Sequence, residues 1–168
     1  MHGKWKAVVG LVLLSLLLPA ARELPPGFQA RVVAVADGDT LTVLRGREQI
    51  RVRLHGIDCP EDGQPYSRRA ARRTSELAFG KTVTVMPVSR DRYGRVVAKI
   101  LLAGQKCLNE ILVAEGLAWH YRQYAPRDAT LARLERAARS ARRGLWQDPA
   151  PVPPWRWRRA ARRATGRQ

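Results

Sequence analysis

Histidine, cysteine and acidic residues are the scarce components of this chain, and each scarcity removes a class of chemistry. Three histidines and two cysteines in 168 residues, with Cys59 and Cys107 at no zinc-binding spacing, argue against a zinc centre. The same two cysteines cannot build a disulfide framework; they allow one bridge between Cys59 and Cys107, or two free thiols. The apolar stretch Ala7 to Leu18 spans 12 residues, short of the roughly 20 that a membrane-crossing helix needs. Acidic side chains number 14 against 31 lysines and arginines, a net charge of +17. Such an excess calls for an anionic partner, and nucleic acid is the leading one. The alternative is a solvated basic surface, and because charge alone identifies no ligand, motifs must decide.

The length suits one domain, at roughly 100–200 residues per domain. Its N-terminus places Lys4 and Lys6 before the apolar stretch and Pro19-Ala20-Ala21 after it, the tripartite pattern of an export signal. The expected organisation is a signal over residues 1–21, a linker over 22–29, a domain over 30–147 and a Pro/Trp/Arg-rich tail over 148–168. The expected location is secreted or periplasmic, as a monomer with no stable membrane insertion once the signal is cleaved.

Short β-branched runs separated by turn residues predict strands over 28–36, 40–44, 48–55, 82–88 and 96–102. Helical patterns closed by glycine predict helices over 67–79, 108–115 and 129–143. Five strands with a helix between the third and fourth predict a mainly β fold: a five-stranded OB-type Greek-key barrel plus three α-helices. The prolines after Asp148 predict a stiff extended tail ending in disordered arginines; of its two tryptophans, which could dock on the domain or stack on bases, one is expected to dock.

Three segments carry chemistry: Asp37-Gly38-Asp39-Thr40, Arg53-Leu54-His55-Gly56-Ile57-Asp58-Cys59-Pro60-Glu61 and Asp91-Arg92-Tyr93-Gly94-Arg95. Taken singly, each also reads as a structural turn or hairpin. Taken in order at strand ends, they supply what phosphodiester cleavage requires. Asp39, Asp58 and the carbonyl of Cys59 form an all-oxygen set suited to calcium or another hard cation. Glu61 is placed to orient or deprotonate water. Arg53 and Arg95 each offer paired donors to phosphate oxygens, a geometry that lysine cannot match.

Those segments, with Leu108-Asn109-Glu110 and Gly116-Leu117-Ala118, resemble the staphylococcal nuclease (thermonuclease) family, and the match runs from Ala30 to Trp146. The resemblance implies a calcium-dependent nuclease on an OB-fold barrel, acting on DNA and RNA and leaving 3′-phosphates. It implies Arg53, Glu61 and Arg95 as catalytic residues and Asp39, Asp58 and Cys59 as the calcium site. Arg92 and Tyr93 resemble residues that contact a terminal phosphate. Tyr124 matches one of two nucleotide-flanking tyrosines, whereas Arg122 holds the other position with Tyr121 beside it. The loop after Glu61, residues 62–67, is shorter than in the family's best-known member. The rival readings are a barrel that binds nucleic acid without cutting it, and a cationic envelope protein held by its arginine-rich tail; the latter explains the charge and none of the motifs.

Overall fold

A computed structural model describes residues 26–166. Five strands close into a barrel in the order β1 (Phe28–Val35), β2 (Thr40–Arg45), β3 (Glu48–Leu54), β6 (Val96–Leu101) and β5 (Thr82–Arg90). All neighbours are antiparallel except β3 and β6, which run parallel, as an OB topology requires. The period-2 pattern explains the inside: Phe28, Ala30 and Val32 of β1, Val52 and Leu54 of β3, and Val83 and Val85 of β5 are buried, while Gln29, Arg31 and Arg51 face out. Closure removes the exposed edges that such strands would otherwise present. Two irregularities bend the barrel, one in β1 between Val32 and Ala34 and one in β5 between Pro87 and Ser89. Proline has no N–H for the ladder, so the second falls where Pro87 would otherwise interrupt it.

Two further pairings position the site. The two-residue strands β4 (Ile57–Asp58) and β7 (Trp119–His120) pair antiparallel, Asp58 opposite Trp119. Tyr121 N–H then donates to the Gly56 carbonyl at 2.8 Å. Gly56 has φ +74°, and a Cβ there would lie 2.9 Å from Ala125 and Leu131; both backbone and space demand glycine. Asn109 is the second fastener: its side chain accepts from Ile100 N–H and donates to the carbonyls of His55 and Ala98. Buried at 1% exposure, it satisfies the turn between β3 and β4.

Helix α1 (Ser67–Ala78) buries Ala70, Thr74 and Ala78, spaced at i, i+4, i+8, and leaves its arginines outward. Thr74 donates to the Gly38 carbonyl at 2.7 Å, so α1 braces the β1–β2 turn. Helix α2 (Leu108–Ala114) closes the barrel with Leu108, Leu112 and Val113. Helix α3 (Ala129–Ser140) is capped by Asp128, which accepts from Leu131 N–H at 3.0 Å.

The barrel is as expected from the sequence, but the helices number four among the described residues. The extended, disordered tail is corrected: Pro154–Thr165 forms helix α4. Proline at the first helical position costs no hydrogen bond and fixes φ for the helix, and eleven residues free of proline and glycine follow it. The expected tryptophan docking does occur, since Trp155 packs on a second small core of Trp119, Ala138, Leu145 and Trp146. The strand expected from Phe28 is β1, so the barrel takes in the last two residues of the expected linker, and α3 stops before Arg142, which turns to φ +47°. Cys59 and Cys107 are both free thiols, so the disulfide alternative is not realised. The expected signal lies outside the described residues.

Candidate active site

The barrel brings the first two motifs together at the end of β3. Arg53 leaves β3 opposite Thr40, the residue after Asp39. Its Nη1 contacts Asp39 Oδ1, and its Nη2 donates to Asp58 Oδ1 at 2.6 Å and to the Ile57 carbonyl at 3.3 Å. Asp39 also accepts from Cys59 N–H at 2.6 Å, tying the β1–β2 turn to the segment after β4. Asp39 and Asp58 are 5% and 0% exposed. Buried carboxylates must be paired, and here guanidinium groups supply the countercharge.

The backbone beneath is tight. Gly38 has no room for a side chain: a Cβ would lie 2.8 Å from Ala70 Cβ and from Cys59 Cβ and Sγ. Burial pushes the Cys59 thiol well above its ordinary value, against the opposing pull of Arg53, so the sulfur stays protonated and serves as packing. Glu61 follows Pro60 at the rim, and its N–H donates to Gln64 Oε1 at 3.0 Å.

Arg95 comes to the same side by a different route. Arg53 lies beside Val97 in the parallel pairing of β3 and β6, so Arg95, two residues before Val97, falls on the same outer face. Its guanidinium is held by Asp91, Nε to Oδ2 at 2.6 Å, and does not reach the Asp39–Asp58 pair. Burial would raise the Asp91 pKa, but hydrogen bonds from Arg95 and Tyr93 outweigh it and hold the carboxyl below its usual value. On this hairpin Arg92 stacks over the Tyr93 ring at 4.8 Å and bonds its hydroxyl at 2.6 Å.

The expected nucleotide-flanking residues divide. Tyr121 and Tyr124 meet edge to face at 4.9 Å, and Tyr124 is 63% exposed. Burial and the nearby Asp58 charge raise the Tyr121 pKa, so its hydroxyl stays neutral. Arg122 does not join them; it pairs at 3.1 Å with Glu135, a buried carboxylate of α3.

Arg158 and Gln64 are site residues that the sequence pattern did not single out, and Trp155, expected only to dock on the domain, reaches the site as well. Arg158 Nη2 donates to Asp58 Oδ2 at 2.8 Å and Nη1 to Asp58 Oδ1 at 3.2 Å, and Nη1 also contacts Glu61 Oε1. Burial alone would lower the Arg158 pKa, but bonds and charge from Asp58 and Glu61 reverse this and raise it. The available signal was the three-residue spacing of Trp155 and Arg158, which shares a face only if the tail is helical.

Among the described residues, no group of three or more His, Cys, Asp or Glu side chains forms a metal-binding cluster. Two buried carboxylates converge instead, and both demand positive charge. By donor type, the carboxylates of Asp39 and Asp58 with the Cys59 carbonyl would suit a hard divalent cation.

A closed five-stranded barrel with paired carboxylates, arginines and a rim glutamate defines an OB-barrel nuclease. The chain belongs to the family described as staphylococcal nuclease homologue, whose model matches residues 51–148. It is similar to the micrococcal nuclease of Shigella flexneri, 43% identical over 169 aligned residues, 95% of each chain. It is also similar to an uncharacterized endonuclease of Escherichia coli, 45% identical over 128 residues that cover 76% of this chain and 83% of the relative. A third relative is protein ParB of Escherichia coli, 37% identical over 163 residues, 92% of this chain and 90% of the other. The family match leaves out both Asp39 and all of α4.

Proposed function

We propose that this nuclease is calcium-dependent, hydrolyses phosphodiester bonds of both DNA and RNA, and leaves 3′-phosphate products. The observation that carries this reading is the convergence of Asp39, Arg53 and Asp58, with Glu61 joined to Asp58 through one guanidinium.

Arg53 has five N–H donors; its bonds to Asp39, Asp58 and the Ile57 carbonyl leave two for a phosphate oxygen. Those contacts strengthen as charge builds on phosphorus. Arg95, oriented by Asp91, approaches the phosphate from the neighbouring strand. Glu61 takes the proton of the attacking water. Asp39, Asp58 and the Cys59 carbonyl would hold the calcium ion, which would supply Lewis-acid polarisation of the phosphate. Arg92 and Tyr93 hold a terminal phosphate, and Tyr121 and Tyr124 stack on bases.

The N-terminal pattern of lysines, apolar core and small residues supports export, with the protein acting as a secreted or periplasmic monomer. No helix among the described residues is long and apolar enough to cross a membrane.

The test uses single- and double-stranded DNA and RNA, with calcium or chelator, beside Glu61→Gln. Cleavage is expected with calcium, abolished by chelator and reduced about 10²- to 10⁴-fold by loss of the base. Binding without cleavage in calcium would favour a catalytically inactive nucleic-acid-binding module.

A further inference from the structure

Helix α4 reaches into the site that the barrel builds. Arg158 makes two hydrogen bonds to Asp58 and a third contact to Glu61. One turn earlier Trp155 lies parallel to Tyr121, with ring centroids 5.1 Å apart and planes 5° apart, and edge-on to Trp119 at 5.6 Å. The approach is anchored ahead of the helix, where Gln64 Nε2 donates to the Val152 carbonyl. The same Gln64 accepts from Glu61 N–H. One helix therefore touches the metal-site carboxylate, the base and the aromatic platform.

The geometry points to Arg158 as a built-in competitor for the divalent cation, with Trp155 covering the Tyr121 face on which a nucleobase would stack. This rests on the calcium reading of the site. Arg158 and a cation draw on the same oxygens of Asp58. That carboxylate has about four lone-pair sites, and guanidinium bonds from Arg53 and Arg158 take three. A divalent ion at Asp58 would also meet the fixed positive charge of Arg158 within a few ångströms, in a setting where solvent screens poorly. The two occupants are alternatives, so binding the ion requires α4 to withdraw, and its withdrawal uncovers Tyr121.

The docked helix is built to leave. Arg156, Trp157 and Arg159 are exposed, so α4 is held at its N-terminal end, by the buried Pro153 and Pro154 and the partly buried Trp155, and by Arg158. From Trp155 to Gln168 there are six arginines and no acidic residue. A polyanionic substrate attracts such a segment electrostatically and would hold it once released. Arg158 thereby sets the cation requirement of the site, and nucleic acid lowers it.

Linkage makes the idea measurable: whatever weakens docking of α4 must tighten cation binding by the fraction of molecules it frees. Calcium alone is titrated calorimetrically into the wild type, Arg158→Gln and Trp155→Ala at fixed ionic strength. Both variants are expected to bind calcium about tenfold more tightly than the wild type if α4 is docked in about nine molecules of ten. Trp155→Ala is the decisive arm, because it keeps the Arg158 charge and removes only the stacking. Hydrogen exchange of the α4 amides in the wild type should accelerate on adding calcium, which a purely structural helix would not show. Equal or weaker calcium binding in Trp155→Ala, or α4 amides that calcium leaves unchanged, would overturn the competition. If cleavage remains calcium-dependent in that case, the reading of the site stands without it. Cleavage in chelator with no calcium binding by any of the three proteins would instead remove the calcium reading, and this inference with it.

Discussion

Arg53 Nη2 lies 2.6 Å from Asp58 Oδ1 across the five-residue span that joins β3 to β4, while Nη1 of the same guanidinium meets Asp39. One planar group thus fixes two acidic residues that are 19 positions apart. A lysine has a single ammonium and cannot bridge both carboxylates while still presenting paired donors to phosphate. Arg53→Lys is expected to lower kcat about 10²-fold, the scale of losing one oriented charge donor. Steady-state cleavage of a short oligonucleotide measures it, and a variant within twofold of the wild type would dismiss the bridging role.

Gly38 is predicted to be intolerant of even one methyl group. Its φ is ordinary, but Ala70 and Cys59 stand 2.8 Å from where a Cβ would go. Gly38→Ala must push α1 away from the turn that carries Asp39, at a cost of about 1–3 kcal/mol. Denaturant unfolding should show the loss, and activity should fall further than stability because Asp39 moves with the turn.

Glu135 separates a buried interaction from a surface one. Its carboxylate accepts from His120 N–H at 3.1 Å and from the partly exposed Arg122 and Arg139. Glu135→Leu strands the buried His120 N–H, which costs about 1–3 kcal/mol. Arg122→Ala removes only an exposed arginine and leaves Arg139 and the His120 N–H on the buried carboxylate, a loss of less than about 1 kcal/mol. Unfolding free energies of the two variants in that order are the expected result, and the reverse order would contradict it.

Acid should loosen α3 through Asp128. Burial would raise its pKa, but the Leu131 N–H and Lys99 outweigh this and hold it below the ordinary carboxylate value. The unfolded chain therefore takes up the proton first as pH falls. The stabilisation is complete above the unfolded value and disappears as pH drops through the lower folded value. Asp128→Ala should cost about 1 kcal/mol at pH 7, and the gap from the wild type should close as the pH is taken well below 4. A pH-independent gap would assign the effect to packing.

Much of the site was legible before any fold was known. Asp39, Arg53, Asp58 and Glu61 stand at strand ends in short segments, where local pattern constrains the backbone strongly. Arg95 was legible as a residue type, but its capture by Asp91 was not, because a hairpin's side-chain pairing depends on its turn. Tyr121 and Arg122 are neighbours in sequence. The pairing of Trp119 with Asp58 and the buried Glu135 send one to the site and the other to α3. The tail is helical despite its prolines because of their position: Pro154 starts the helix and interrupts nothing.

The sequence by itself determined the barrel, through alternating burial along short β-branched strands, and the local order of acid, arginine and acid along Arg53 to Glu61. Those are short-range matters, settled by side-chain period and turn chemistry. Only the tertiary structure decided that Arg158, 100 positions beyond Asp58, shares its carboxylate, and that Trp155 lies on Tyr121. The physical reason is that a buried carboxylate takes whatever cation the folded chain can bring within reach, and reach across the chain is not written in local pattern.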